Sequence, residues 1–325
     1  MTGLIFSDTE AAPAKINLSL EVLERRTDNY HNLQSLMVTI DLHDQLSLFL
    51  SSDKQGKWRV WSDDASVPED ENNIAYTAAL AFFNYYGIDP LSYFLDLKIE
   101  KRIPSQAGLG GGSSDAAATL RLLERAFFPD GAFESMPASY MAHEIGADVP
   151  YCYRGGTQFV SGIGDVLAAQ EPFPEFPILL LKPPVEISTG EAFAALDKSA
   201  SSRKTSDSQG FLSDYEDTLR QEKYSAFENI FHNSFLPYVA KVHPQIDSYM
   251  TELRHTGCLF ASLSGSGPSV FALYEMGSDL NSIREHMAAK FPRVAIYKSK
   301  IMNTKQLKLN IMQNGQVNLH CSITL

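Results

Sequence analysis

The residues most suited to chemistry are Ala107-Gly108-Leu109-Gly110-Gly111-Gly112-Ser113-Ser114, lying between an apolar alternation and a helical stripe. Glycines lack a Cβ, so backbone N–H groups can come close to an anion, and a following helix N-terminus adds unpaired donors and a positive dipole. That combination suits the polyphosphate of a nucleotide. The spacing matches neither GxxxxGK[ST] nor GxGxxG, which excludes a Walker A loop and a dinucleotide fingerprint. Ser264-Gly265-Ser266-Gly267-Pro268 reads by itself as a generous hairpin connection, and Gly155-Gly156-Thr157 with Gly162-Ile163-Gly164-Asp165 is a weaker cluster still. Asp148 follows Gly146 and precedes Pro150. A carboxylate there can take the proton of an attacking hydroxyl, or simply cap a turn. Lys15 and Asn17 alternate with apolar neighbours, and on pattern alone are solvent-facing residues of an amphipathic strand.

The elements that must position these residues follow from periodicity. Ala14, Ile16, Leu18, Leu20 and Val22 share one face of a strand, and a period of two recurs at Leu36–Leu42 and at Tyr93–Ile99. These strands predict a largely antiparallel sheet. Asn73 to Tyr86 reads as a helix that Gly87 ends, and Ala116 to Phe127 as another, with Ser113 or Ser114 as N-cap. A third helix is expected over Ala138–Ile145. The second half predicts a buried strand at Ile178–Leu181 and helices at Thr189–Leu196 and Pro244–His255. Strands at Leu259–Leu263 and Ser269–Tyr274, a helix at Asp279–Lys290 and a strand at Arg293–Lys298 complete it. The order helix–strand–strand–helix–strand points to a ferredoxin-like plait. Residues Lys198 to Lys223 are polar and Ser-rich, and read as a partly helical surface excursion.

The 325 residues carry 27 Lys plus Arg against 39 Asp plus Glu, a net charge of −12. That balance argues against bulk nucleic-acid binding, though a local pocket can still hold an anion. The length predicts two domains, 1–172 and 173–325, divided where prolines cluster at Gln170–Pro177. No apolar run approaches the roughly 18 residues of a membrane span. The start MTGLIFSDTE lacks a basic segment and a long apolar one, so no secretory signal is expected. Cys152, Cys258 and Cys321 form no CxxC pair and suit a reducing, cytoplasmic setting. The histidines show no zinc-like spacing. No internal repeat is visible.

Five segments occur together in one order: Pro13-Ala14-Lys15-Ile16-Asn17-Leu18, Tyr30-His31-Asn32-Leu33-Gln34, the glycine loop, Gly146-Ala147-Asp148-Val149-Pro150 and Ser264-Gly265-Ser266-Gly267. Together they resemble the superfamily of galactose, homoserine, mevalonate and phosphomevalonate (GHMP) kinases, over roughly residues 12 to 300. Within it the chain is similar to the branch of the non-mevalonate isoprenoid route that phosphorylates the 2-hydroxyl of a cytidine diphosphate ester of methylerythritol. The resemblance implies an α+β fold: an N-terminal domain like ribosomal protein S5 domain 2, a ferredoxin-like C-terminal domain, and an active site in the cleft between them. It implies ATP and Mg²⁺ as cofactors, with the metal ligands left unassigned. It also implies a small-molecule substrate, no nucleic-acid or membrane partner, and a monomer or homodimer.

Residue by residue, the resemblance makes Asp148 the group that receives or orients the hydroxyl proton, and Lys15 its cationic partner. ATP is assigned to Pro104, Ser105, Gln106, Ala107, Gly108, Leu109, Gly110, Gly111, Gly112, Ser113 and Ser114, with Asn72 and Lys101 near the adenine. Lys101 reads otherwise as a solvated charge. The substrate is assigned to Asn17, Tyr30, His31, Met37, Thr189, Gly190 and Phe193, Tyr30 stacking on cytosine and His31 bonding its edge. Phe193 reads equally as a core residue of its helix. Asn29 stands where the family usually has glycine, and tolerates positive φ better than other side chains. Gly190 stands where proline is frequent. A homoserine- or mevalonate-type kinase, needing no cytosine pocket, and a catalytically idle nucleotide-binding regulator are the competing functions.

Overall fold

The first strand runs further than the alternation from Ala14 to Val22 predicts. Strand β1 spans Leu4–Arg25 and pairs antiparallel along its length with β2, His31–Ser52. The computed structural model describes residues 4–52, 57–132, 134–199 and 208–302. Cys321, the chain after 302 and residues 200–207 of the polar excursion lie outside the described residues. After β2 come β3 (Trp58–Ser62), α1 (Ile74–Tyr85), β4 (Tyr93–Glu100) and α2 (Gly111–Phe127). Then follow α3 (Ala138–Glu144), α4 (Val149–Arg154), β5 (Thr157–Ser161) and β6 (Val166–Ala169). The first sheet has the order β3-β4-β2-β5-β6, with β1 also on β2. Its pairs are antiparallel except β3 with β4. Helix α1 starts at the Asn73 cap, whose side chain accepts from Ala75 N, and Gly87 follows its end at φ +65°. Its alanine and phenylalanine face packs with α2 against Leu46, Leu48, Leu95 and Leu97 of the sheet.

The second half opens with β7 (Pro177–Lys182), α5 (Thr189–Ser199), α6 (Ser208–Arg220), α7 (Phe227–Ile230) and α8 (Leu236–Val242). It continues with α9 (Gln245–His255), β8 (Phe260–Leu263), β9 (Val270–Leu273), α10 (Leu280–Lys290) and β10 (Ala295–Lys300). The sheet order β10-β7-β9-β8, all antiparallel, places the first strand beside the last and the third beside the second. That is the ferredoxin-like plait.

Three local expectations need correction. Helix α2 begins at Gly111 with Gly110 at its N-cap, so Ser113 and Ser114 sit inside the first turn rather than capping it. The polar face of β1 is largely buried: Lys15, Asn17 and Ser19 are each under 5% exposed, because the glycine loop lies against Lys15, β2 against Asn17 and the His232 segment against Ser19. The polar excursion is not purely a surface feature either. Helix α6 sinks Tyr215 among Phe173, Phe227 and Phe231.

One apolar cluster joins Ile16, Leu18, Leu36 and Val38 of the first sheet to Ile178, Leu180, Phe260 and Phe271 of the second. The backbone stitches the halves too: Leu20 N donates to His232 O at 2.8 Å, and Met302 N to Thr39 O at 2.9 Å. Among the described residues no helix is long and apolar enough to cross a membrane.

Candidate active site

Register shifts flank a short stretch of β1, between Pro13 and Lys15 and between Asn17 and Ser19. Bulges of this kind re-aim side chains next to functional sites. Here the stretch turns Lys15 to Asp148: Nζ lies 3.3 Å from Oδ2 and also donates to Asn17 Oδ1 at 2.8 Å. Asn17 Nδ2 donates to Ser35 Oγ at 2.8 Å, and Ser35 donates to Ser19 O at 2.7 Å, so the buried strip is a connected network. The Lys15 side chain is 5% exposed while that of Asp148 is 36% exposed, so the carboxylate is the member more open to the cleft. Asp148 occupies the N-cap position of α4 but makes no side-chain capping bond. Its carboxylate serves the lysine instead, and the turn-cap reading does not hold.

The glycine loop is pinned from both sides. Lys15 N donates to Leu109 O at 2.9 Å. On the far side, Ser264 Oγ donates to Gly108 O at 2.9 Å, and Ser269 N to Ala107 O at 3.3 Å. The second glycine cluster does join β8 to β9 as a hairpin, but it also packs on the first. A Cβ at Gly108 would stand 2.3 Å from Ser264 O, and one at Gly110 would stand 3.0 Å from Lys15 Cγ. Both glycines have positive φ, +74° and +71°. The weak third cluster supplies the turn between β5 and β6, and Ile163 from that turn lines the cleft.

Two depressions meet at this loop. One, of about 400 Å³, is lined by Asn72, Lys101, Pro104, Ser105, Gln106, Ala107, the Gly108–Gly112 stretch and Ser113. Ser114 is absent from it, being buried with its hydroxyl donated to Pro13 O at 2.6 Å. Lys101 is no solvated charge: its ammonium is held 2.5 Å from Asp44 Oδ2 and 2.7 Å from Asp115 Oδ2, all three side chains buried. Burial alone would lower the Lys101 pKa, but the two carboxylates outweigh it and raise it. Asp44 Oδ1 also accepts from the Arg102 and Ile103 amides, bracing the entry to the loop, while Asp115 Oδ1 has no partner among the described residues.

The other depression, of about 740 Å³, shares Gly108, Gly110 and Ser113 with the first and opens on Lys15, Asp148 and Asn17. Its walls carry Tyr30, His31, Met37, Thr189, Gly190 and Phe193. Tyr30 is half exposed at the mouth, edge-on to His143 at 6.4 Å. Asn29 holds φ +69°, so the turn survives without glycine. Met37 is buried in the wall, and Thr189 shares a hydroxyl hydrogen bond of 2.8 Å with Ser266. Phe193 packs edge-on against buried Phe235, as a core residue of its helix does, and its ring also stacks on the His31 ring at 4.8 Å in the cleft wall. Arg25 and Asp197, which pattern reading did not assign to the site, also line the cleft, as do Ser266 and Ile163 from the two later glycine clusters. For Asp197 a signal was present, since it follows Phe193 by four residues and shares its helix face.

Comparison with known proteins bears on this geometry. The GHMP kinases N terminal domain matches residues 73–156, and the GHMP kinases C terminal domain matches residues 216–293. The 4-diphosphocytidyl-2-C-methyl-D-erythritol kinase of Bacillus subtilis (strain 168) is 36% identical over 275 residues, covering 84% of this chain and 90% of its own. The protein of that name from a Clostridium perfringens strain is 32% identical over 296 residues, covering 91% and 99%. A crystal structure of 4-(cytidine 5'-diphospho)-2C-methyl-D-erythritol kinase superposes with a TM-score of 0.69 at 26% identity, covering 90% of this chain and 98% of that one. Homoserine kinase from Cytophaga hutchinsonii, at 21% identity and a TM-score of 0.68, covering 91% and 95%, shares the fold.

Proposed function

The chain belongs to the 4-diphosphocytidyl-2-C-methyl-D-erythritol kinase family of GHMP kinases, and from that premise we propose how it transfers a phosphoryl group from ATP to the 2-hydroxyl of its cytidine diphosphate ester. The observation that carries this reading is the junction of the two depressions at Gly108, Gly110 and Ser113, with the Lys15–Asp148 pair on the larger side. ATP occupies the smaller depression, its phosphates against the loop amides and the N-terminus of α2. The ester occupies the larger one, its hydroxyl at Asp148 and its base toward Tyr30, His31 and Phe193.

Phosphoryl transfer asks the protein mainly for positioning and charge. Asp148 accepts or orients the hydroxyl proton, with one carboxylate oxygen held by Lys15. The lysine, fixed by Asn17, offsets negative charge that develops on the attacking oxygen. Mg²⁺ suits this site without a protein cage, because the ion keeps waters and takes phosphate oxygens. Among the described residues no group of three or more His, Cys, Asp or Glu could hold a metal ion. With the Ser114 hydroxyl spent on Pro13, Ser113 is the loop hydroxyl that would contact the ion, which supplies charge neutralisation at the phosphates. Division of labour at 172/173 and a cytoplasmic setting complete the proposal, the latter supported by two free thiols, Cys152 and Cys258. The test is nucleotide release with the cytidine ester, mevalonate or homoserine as acceptor. Turnover confined to the ester is expected, and turnover confined to either of the others would replace the reading with a different GHMP kinase.

A further inference from the structure

One side-chain pair in the cleft lies outside the phosphoryl-transfer machinery. His31 opens β2, and its imidazole is gripped by two residues of α5 that stand one helical turn apart. Phe193 lies against the ring face at 4.8 Å and 18°, and Asp197 Oδ1 lies 2.7 Å from Nε2. The Asp197 carboxylate is in turn 3.7 Å from the Arg25 guanidinium. Face and edge of one buried ring are therefore both held by the second half of the chain. Among the described residues, Nδ1 has no protein hydrogen-bond partner to match, and the ring lines the large cleft.

We propose that Asp197 is a positioning residue that decides which base His31 accepts: by accepting a hydrogen bond from Nε2–H it keeps the proton there and leaves Nδ1 as a bare acceptor for the exocyclic amino group of cytosine. The carboxylate can only accept, so a neutral ring bonded to it must carry its hydrogen on Nε2. Nδ1 then pairs with an amino donor and opposes a carbonyl oxygen. Cytosine offers an amino group where uracil offers a carbonyl, so discrimination between them rests on a proton placed from the far side of the ring. The inference depends on the proposed function for its substrate, but not for its tautomer.

The experiment uses the full chain with Asp197→Leu and Asp197→Asn, measuring kcat/KM for the cytidine and uridine diphosphate esters alongside KM for ATP. The nitrogen-15 spectrum of the His31 ring is recorded on ligand-free wild type at mildly alkaline pH. The expected spectrum shows a protonated Nε2 and a bare Nδ1. Asp197→Leu should cut the cytidine-over-uridine preference by about tenfold or more, the scale of one base-edge contact, with KM for ATP unmoved. Asp197→Asn keeps an accepting oxygen and should hold the preference within about threefold of wild type. A wild-type ring protonated at Nδ1 would overturn the proposal, as would an undiminished preference in Asp197→Leu or an equal loss in both variants. If Asp197→Leu does not fold, the wild-type spectrum and Asp197→Asn still decide. Failure of wild type to use the cytidine ester at all would sink the proposed function and leave the tautomer result standing.

Discussion

Lys15 is an ammonium almost closed off from water, and it is tolerable there because Asp148 and Asn17 satisfy it on two sides. Removing either charge leaves the other without its partner and, on the proposed mechanism, the attacking hydroxyl without its base or its counter-charge. Asp148→Asn and Lys15→Ala are each expected to lower kcat by about 10²–10⁴-fold, the usual worth of a positioned acid–base group. ATP affinity should stay nearly constant, since the proposed placement rests the phosphates on backbone amides. Single-turnover rates with nucleotide titrations check this, and near-wild-type turnover in either variant would remove that residue from the catalytic role.

Asp115, also at this scale, keeps its proton to a higher pH than a surface acid does. Burial pushes its carboxyl up to about 8, with Lys101 pulling it down and Asp44 pushing it further up. Such a group binds a proton in the folded state that the unfolded chain has already released. Its contribution to stability is complete below the ordinary value of 3.8 and drains as pH rises through the folded value. Asp115→Asn stays neutral throughout, so its melting temperature should fall less than that of wild type between those two pH values. Parallel profiles for the two proteins would mean that Asp115 is ionised in the fold.

At the scale of elements, the glycine loop serves two neighbours at once. Gly110 has to be left-handed to start α2, and its bare Cα is also the surface on which the Lys15 stem lies. Gly110→Val would bring a branched side chain to 3.0 Å from Lys15 Cγ at a φ that β-branched residues avoid. The expected result is a higher KM for ATP together with a lower kcat, rather than the first alone. A folded variant with an unchanged KM for ATP would move the phosphate site elsewhere.

For the whole molecule, the governing feature is the core cluster shared by both sheets. Phe173 lies in the connection between β6 and β7, fully buried, its ring near Phe176, Tyr215, Phe227 and Phe231. Truncating it should cost about 3–5 kcal/mol, the range for deleting a buried aromatic ring. Because the cluster joins the two sheets, Phe173→Ala should lower one cooperative thermal transition and not split it into two. Calorimetry decides, and two separate transitions in wild type would show that the halves are energetically independent.

Periodicity, glycine spacing and segment order determined a great deal without coordinates. Strands β1, β2 and β4, helices α1 and α10 and the plait of the second half follow from alternation and caps, which are local properties of the chain. The glycine loop and Asp148 were legible because backbone chemistry and a five-part order mark them. Tertiary structure alone decided the rest. Whether the polar face of β1 meets water depends on what covers it, and the loop that does so lies about ninety residues away in the chain. Lys101 looks like a solvated cation until Asp44 and Asp115 arrive from β2 and α2. Ser113 and Ser114 are adjacent and alike, yet one faces the cleft and the other bonds Pro13, because a helix turns each successive side chain by about 100°. Asp197 became part of the site only when α5 folded against the start of β2. Spacing could place Asp197 on the face of Phe193, but which residues that face meets is set by elements far apart in the chain, and no spacing rule announces that.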